Sequence, residues 1–247
     1  MKVLFVFIVP SGGVNTLNRL RHQALLPARI YSHFLYFREG SGSTDFAPDI
    51  PVFYASEPPA VRHILDYYKF DCIVVTSFFL QLALFRQIGF DKPVIYEIQG
   101  FGTQEHARRN LTEARPFVNE FANAIVYPGT PVIGSLLEEL YPFTPKYSFP
   151  NPFDSRAYDR SSFAYPPAAP LDYPPLTWIG RLEDNKNWRD FLLIGAEVIG
   201  RIPGVRLWMF SDPDLAEPGE ADQLALWTAG LGLGHHIFHH HKVPNAQ

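Results

Sequence analysis

The sequence has 247 residues and a formal net charge of −4, and it is 47% hydrophobic and 19% charged. These values exclude a disordered chain and provide apolar residues for one large domain or two modest ones. The net charge also argues against nucleic acid as a partner, because the 25 acidic residues outnumber the 21 lysines and arginines. The single cysteine, Cys72, cannot form an internal disulfide, and we expect a buried, inert thiol in a reducing compartment.

The N-terminal stretch MKVLFVFIVPSGG has the positive start and the apolar run of a signal peptide. It lacks a small-x-small cleavage site, and a glycine turn and a helical pattern follow at once. We therefore interpret it as a buried parallel strand. No apolar run reaches the roughly 18 residues that a membrane span needs. We expect a cytoplasmic protein, with peripheral contact to the inner membrane face left open.

Short apolar runs alternate with longer amphipathic stretches up to about residue 150. The predicted strands are VLFVFIV, ARIYSHFLYF, PVFYA, CIVVT, PVIYEI and AIVYP. The predicted helices are VNTLNRLRHQALL, PPAVRHILDYYK, FLQLALFRQIG, QEHARRNLTEARPFVNEFA and PVIGSLLEELY. This alternation predicts βαβ units around a parallel sheet. We assign residues 1–155 to this first domain.

A proline-rich stretch, residues 156–175, is expected to be a linker, because such a density of proline suits neither helix nor central strand. The alternation resumes over residues 176–247, with strands LTWI, VRLWMF and HHIFHHH. Two helices separate them, one from Trp188 onward and one at ADQLALWTAGL. This is about half of a doubly wound domain, which typically has five or six strands. We therefore expect a fragment of a longer chain, or a protein whose missing half is supplied separately.

Three motifs are informative through their order and spacing: PSGGVNTL after the first strand, SFPNPFDSRAY before the linker, and WIGRLEDNKNWRDFL after it. Through these motifs the chain resembles the retaining glycosyltransferases of the GT-B fold, family four. The resemblance covers the whole chain. The resemblance implies an α/β, GT-B-like fold, with one complete Rossmann-like domain and the first half of a second. It also implies transfer of a sugar from a nucleotide-diphosphate donor without a metal or other cofactor.

Arg181 and Lys186 are the predicted donor-phosphate ligands. Arg181 follows a strand and Gly180, so its side chain should emerge at the carboxyl end of the sheet, where ligands bind in such folds. Lys186 should lie at the edge of the next helix, whose N-terminal dipole favours an anion. The alternative is a solvated basic pair balanced by Glu183 and Asp184.

The resemblance further implies that the nucleobase lies near Lys242 and Val243, in the second domain. The acceptor, a glycan or a lipid-linked molecule, would bind the first domain. There the glycine loop of Gly12, Gly13 and Asn15 could present free N–H groups to an anion or an acceptor hydroxyl. A tight turn alone would explain the two glycines equally well. The loop lacks the G-x-G-x-x-G spacing, so a nicotinamide cofactor is not indicated.

Gln99 is the catalytic candidate of the first domain. It stands where many members of the resembled family carry a histidine near the transferred sugar. Glutamine can form hydrogen bonds there but cannot act as an acid or base at neutral pH. His106 is a weak substitute, expected to be a solvated helix residue. Asn151 and Asp154 are expected to form a polar turn, with a direct ligand role as the alternative.

Two patterns are interpreted as coincidental. Glu97 and Glu105 have the spacing of the family's paired-glutamate donor motif, but that motif belongs to the later part of the second domain. The histidines of HHIFHHH would divide between the two faces of a strand, so we expect no metal site. Two other functions stay open: a non-catalytic sugar- or nucleotide-binding fragment that needs a partner, and a GT-B sugar-nucleotide epimerase.

Overall fold

A computed structural model of the chain describes residues 1–10, 12–40, 50–101, 103–150, 173–211 and 216–241. The chain divides into two compact units, Met1–Asp154 and Ser155–Gln247. Most of the predicted linker, and the predicted polar turn at Asn151 and Asp154, lie outside the described residues. No helix among the described residues is long and apolar enough to cross a membrane.

The first unit contains a seven-stranded sheet in which all neighbouring strands pair in parallel. Its strands are β1 (Lys2–Phe7), β2 (Tyr31–Tyr36), β3 (Val52–Tyr54), β4 (Cys72–Thr76), β5 (Val94–Glu97), β6 (Ala124–Tyr127) and β7 (Lys146–Ser148). Its α-helices are α1 (Gly12–Leu25), α2 (Pro58–Tyr68), α3 (Leu80–Gln87), α4 (Gln104–Phe121) and α5 (Pro131–Leu140). Strand β7 was not predicted, because KYS is short and polar and pairs on one side only.

The strand order is β3-β2-β1-β4-β5-β6-β7, and helices cover both faces of the sheet. One face packs on α1 through apolar residues that include Phe5, Phe7 and Phe34. The other face packs on α2 to α5 and forms the larger core, with Leu4, Val6 and Val75 at its centre. Burial on both faces explains why β1 reads as a continuous apolar run that imitates a signal peptide.

The second unit contains a three-stranded parallel sheet, in the order β10-β9-β8. Its strands are β8 (Leu176–Ile179), β9 (Leu207–Ser211) and β10 (Ile237–His241), and its helices are α6 (Trp188–Arg201) and α7 (Glu220–Gly230). One face packs on both helices, through Leu207 and Met209 against Trp188 and Leu192. On the sheet's other face, Ile179 is 77% exposed and Phe238 is 44% exposed.

His33, in β2, is a buried titratable residue whose ring is surrounded by aromatic side chains. It is 6% exposed, and its ring lies 5.0 Å from that of Phe70 and 5.5 Å from that of Tyr68. Burial lowers the pKa of His33, a hydrogen bond with the Tyr31 carbonyl partly opposes this, and the charge of Lys2 adds to the lowering. A folded pKa below the unfolded value gives stability that is complete above the unfolded pKa and is lost as pH falls toward the folded pKa.

We therefore expect the free energy of unfolding to fall between pH 7.5 and pH 5.5, across the unfolded histidine pKa of about 6.5. His33→Gln should flatten this dependence, whereas His63→Gln, at an exposed position of α2, should leave it as in the wild type. Denaturant unfolding at several pH values measures the slope. An unchanged slope in His33→Gln would show that other groups set the acid sensitivity.

Candidate functional site

The strand order of the first sheet reverses between β1 and β4. This switch point opens at the carboxyl edge of the sheet. Ligands of open α/β sheets bind in the crevice at this point. Helix α1 begins at this edge after β1, and Gln99 follows β5 at the same edge. The predicted glycine loop and the predicted catalytic residue of the first unit therefore share one edge.

Gly13 lies in the first turn of α1, and a Cβ atom placed on it would meet no described atom within 4 Å. Its φ is not positive either, so neither crowding nor backbone conformation demands a glycine there. Glycine in a helix costs roughly 1 kcal/mol relative to alanine. A turn requirement therefore does not explain Gly13, and the open space is compatible with close approach of a ligand to the backbone.

Asn15 is directed inward and is 8% exposed. Its Oδ1 accepts a hydrogen bond of 3.0 Å from the hydroxyl of Tyr36, which in turn accepts one of 3.0 Å from Asn18 Nδ2. Burial raises the pKa of Tyr36 to about 12, so the phenol stays a proton donor at neutral pH. Asn15 thus fixes the start of α1 on the end of β2.

Glu97 forms a buried polar cluster with Arg21 and Thr76. The Arg21 guanidinium is ion-paired with Oε1 of Glu97, and Thr76 Oγ1 donates to Oε2 at 2.8 Å. The carbonyl of Glu97 also accepts from the amide of Ser77 at 2.7 Å. We call Arg21, Thr76 and Glu97 the polar clamp, because they join α1, β4 and β5 directly below the edge.

Gln99 lies two residues beyond the polar clamp and is half-buried. Its Nε2 is buried and has no hydrogen-bond partner among the described residues. A buried amide that lacks a partner is unfavourable, which makes this donor a candidate for binding a ligand at the carboxyl edge. His106 is exposed on α4, with its ring 6.0 Å from that of Phe101, as expected for a solvated helix residue.

Sequence reasoning overlooked the polar clamp. Glu97 was considered only as one half of a coincidental motif with Glu105, and the two residues differ sharply: Glu97 is buried and Glu105 is exposed. The signal was available on α1. Asn15, Asn18 and Arg21 recur at three-residue spacing on the helix face that packs on the sheet, where apolar residues are the rule.

The second predicted site is a tight turn from Gly180 to Asn187, at the carboxyl end of β8. A 3-10 turn, Asp184–Lys186, precedes α6, so Lys186 lies directly before Asn187, the N-cap residue of that helix. The indole of Trp178 donates to the carbonyl of Lys186 at 3.0 Å. A Cβ atom on Gly180 would lie 3.0 Å from the Trp178 ring and 3.6 Å from Cβ of Lys186. A side chain at position 180 would therefore press on the Trp178 ring, which would have to move by a few tenths of an ångström.

The two cations of this turn differ in their partners. Arg181 is half-exposed, and its Nη1 lies 2.6 Å from Oε1 of the buried Glu183. Lys186 is exposed and has no ion pair among the described residues. Asp184, which was considered as a second balancing acid, pairs instead with Arg189 at 2.9 Å. Folding thus brings Arg181 and Lys186 onto one turn with a single acid paired to Arg181.

Arg189 and Glu220 fasten this turn to the start of α7. Arg189 Nη2 donates to Oε1 of Glu220 at 2.7 Å, and the Trp188 indole donates to Oε2 at 2.7 Å. These hydrogen bonds, that of Arg189 first, lower the pKa of Glu220. Sequence reasoning did not identify these two residues, because their separation of 31 positions follows no local pattern.

The histidines of β10 divide between the two faces of the strand as predicted. His239 contacts Ser211 Oγ, whereas the His240 ring stacks on Phe210 at 4.7 Å. The described residues include no group of three or more histidine, cysteine or acidic side chains suited to a metal ion. Lys242 and Val243, the predicted nucleobase ligands, lie outside the described residues.

Two shallow depressions mark the surface of the first unit. One, of about 260 Å³, runs along the groove between α4 and α5, from Pro131 at the start of α5 to Glu139 in its last turn. The other, of about 340 Å³, lies at the amino edge, between the end of α2 and the segment before β5. Only the first of these two reaches the edge that carries Gly13 and Gln99.

No protein-family model matches the chain, and no curated protein matches its sequence. Solved structures do match. HepE from Anabaena in complex with UDP-glucose is 17% identical with a TM-score of 0.73, over 98% of this chain and 69% of that one. Sucrose-phosphate synthase from Thermosynechococcus elongatus is 13% identical with a TM-score of 0.74, over 100% and 71%. UDP-GlcNAc 2-epimerase from Methanocaldococcus jannaschii is 15% identical with a TM-score of 0.55, over 99% and 74%.

At these identities the similarity establishes the fold alone. It confirms the α/β, GT-B-like fold class that the motifs predicted.

The polar clamp yields a stability prediction. Glu97→Gln should lower the free energy of unfolding by roughly 3–5 kcal/mol, because it leaves the buried Arg21 charge without a counter-ion. Replacing both charges, in Arg21→Met with Glu97→Leu, should recover most of that loss. Urea unfolding measures both variants.

Asp66→Asn is the matched control, since Asp66 pairs with Arg62 at an exposed position of α2. Its effect should stay below about 1 kcal/mol. A loss in Glu97→Gln as small as in this control would show that the clamp charges are screened, and the clamp would not be a structural constraint.

Proposed function

We propose that the chain belongs to a glycosyltransferase that moves a sugar from a nucleotide-diphosphate donor to a hydroxyl acceptor. The observation that carries this proposal is the turn after β8, which presents Arg181 and Lys186 together at the carboxyl end of a parallel sheet. The similarity in fold to HepE in complex with UDP-glucose supports it. In this proposal the second unit binds the donor and the first unit binds the acceptor.

The diphosphate is the leaving group of such a transfer. As the bond from the anomeric carbon to the phosphate oxygen breaks, positive charge develops on the sugar and negative charge on the diphosphate. Arg181 presents a planar fork of N–H donors, and Lys186 presents a point charge. Glu183 engages Nη1 of Arg181 and leaves other guanidinium N–H groups for phosphate oxygens. Fixed cations of this kind stabilise the leaving group without needing to reorganise.

Gln99 serves as a hydrogen-bond donor to the transferred sugar or to the acceptor hydroxyl. Its Nε2 is buried without a partner, and the polar clamp holds the strand that precedes it. The open backbone at Gly13 provides a second set of donors on the same edge. A retaining stereochemical course, inferred from the family resemblance, needs no general base at position 99, which suits a glutamine.

An epimerase acting on a sugar nucleotide is the second candidate. The similarity in fold to UDP-GlcNAc 2-epimerase supports it, and the same cation turn would bind the same diphosphate. Product analysis separates the two, because an epimerase returns an isomer of the intact sugar nucleotide whereas a transferase releases the nucleoside diphosphate. A binding module without turnover would give neither product.

The phosphate role of the turn gives the main functional prediction. Arg181→Ala and Lys186→Ala should each weaken binding of a nucleoside diphosphate by roughly ten- to a hundredfold, because each removes a charge-assisted hydrogen bond of about 1.5–3 kcal/mol. Binding of the corresponding nucleoside should change little, since it has no phosphate. Calorimetry with whichever of UDP, GDP and ADP binds best, and with its nucleoside, measures both effects.

Arg201→Ala is the control, because Arg201 pairs with Glu197 on the exposed last turn of α6. Its diphosphate affinity should equal that of the wild type. Equal losses for diphosphate and nucleoside in the turn variants, or no loss at all, would contradict the assignment.

Gln99 gives a separate prediction. Gln99→Ala should lower the rate of sugar transfer or donor hydrolysis more than it lowers donor affinity, because the amide contacts the reacting sugar rather than the diphosphate. Turnover, donor Kd and melting temperature should be measured on one preparation. A lower melting temperature with unchanged turnover of the folded protein would instead make Gln99 a structural residue.

A further inference from the structure

We propose that the depression in the groove between α4 and α5 binds an uncharged sugar ring as the acceptor. This inference rests on the proposed function and specifies its second substrate. The site is lined by two neutral polar residues, an exposed ion pair and three apolar residues: Gln104, Ser135, Arg108, Glu139, Pro131, Val132 and Leu136.

The location favours this depression over the larger one. Helix α4 follows β5 and helix α5 follows β6, so the depression reaches the carboxyl edge of the sheet at Gln104, Pro131 and Val132, in the first turns of the two helices. The segment that carries Gln99 leads directly into α4, through the N-cap residue Thr103. The larger depression contains Asp66 and Lys69 from the end of α2, and Gly89 after α3, all on the amino side of the sheet. Ligands of parallel sheets bind at the carboxyl side.

The volume sets the size of the ligand. About 260 Å³ is less than the roughly 300–1,000 Å³ of pockets that enclose drug-sized molecules. A single sugar ring matches such a site, whereas an oligosaccharide would extend beyond it. The depression is open to solvent, which would let further units of a longer glycan project outward.

The charges favour a neutral ligand over a phosphorylated one. Arg108 donates through Nη1 and Nη2 to the two carboxylate oxygens of Glu139, at 2.5 and 2.8 Å. This hydrogen bonding lowers the pKa of Glu139, so its carboxylate stays ionised at neutral pH. The pair carries no net charge, and a phosphate would have to displace Glu139 from the arginine. A hydroxyl can instead donate to a free lone pair of the carboxylate without breaking the pair.

The remaining lining residues match the hydroxyl groups and the C–H face of a sugar ring. Gln104 and Ser135 can each donate and accept hydrogen bonds, as hydroxyl groups require. Pro131 and Val132 form an exposed apolar wall, and Val132 is 47% exposed. The C–H face of a ring could cover this wall while its hydroxyls meet the polar residues. Pockets of this kind combine an apolar surface with a few placed polar groups.

The test is direct binding of free sugars to the 247-residue protein, without nucleotide. The probes are glucose, mannose and N-acetylglucosamine, with glucose 6-phosphate as the charged reference, at up to about 20 mM, since affinity for a single ring is expected in the millimolar range. Saturation-transfer NMR should detect at least one neutral probe and should show weaker binding of glucose 6-phosphate.

Ser135→Trp should fill the depression from an exposed position and weaken the neutral probe at least tenfold. Glu138→Trp adds the same side chain to the same helix outside the lining and should leave binding unchanged. Glu139→Gln leaves the positive charge of Arg108 without a counter-ion, so this variant should shift the binding preference from the neutral probe toward glucose 6-phosphate. Melting curves confirm that all three variants are folded.

Three results would overturn the proposal: no binding of any neutral probe, tighter binding of glucose 6-phosphate by the wild type, or equal binding in Ser135→Trp and the wild type. None of these would bear on the proposed function, since the sugar titration involves no nucleotide and nucleoside-diphosphate binding tests the other unit.

Discussion

Parallel pairing of every strand is the constraint on which both units depend. In a parallel sheet each strand ends at the same edge, so the segments that follow the strands gather there whatever their separation in sequence. In the first unit this gathers Gly13, Gln99 and one end of the depression between α4 and α5 on one edge. In the second unit it places the turn with Arg181 and Lys186 at the carboxyl end of β8. The proposed chemistry uses these edges and no residue of the strand interiors.

Polar contacts tie neighbouring elements together at these edges. The polar clamp joins α1, β4 and β5 through one carboxylate, and the start of α1 is tied to β2 by Asn15 and Tyr36. In the second unit, Arg189 and Glu220 tie the cation turn to α7. Each of these hydrogen bonds defines a distance and an angle between the elements that it joins. Both candidate sites are therefore held by directional contacts to neighbouring elements.

The fold was largely predictable because its signals are local. Continuous apolar runs such as that of β1 mark strands buried on both faces, and stretches such as that of α4 mark the helices between them. The short strand β7 was missed because it has no apolar run, and it is defined only by its pairing with β6. The motif that contains Gly180 and Arg181 located the cation turn for a similar reason, since its residues are adjacent in sequence.

The partners within the sites were less predictable, because they are distant in sequence. Glu97 and Arg21 are 76 positions apart, and Arg189 and Glu220 are 31 apart. The inward orientation of Asn15 depends on Tyr36, which only the strand order brings alongside α1. The depression between α4 and α5 arises from two helices that no single motif contains. Such relations follow from topology, and a pattern of residue types alone does not specify them.

The central claim is that a nucleotide sugar binds through its diphosphate at the turn after β8. Titration of the ¹⁵N-labelled protein with UDP-glucose tests it most directly, because amide chemical shifts report contact residue by residue. The claim predicts saturable shifts in the amides of residues 180–187, with smaller shifts when UDP is replaced by uridine. Saturable shifts confined to the amino edges of the sheets, or equal shifts with uridine, would contradict it.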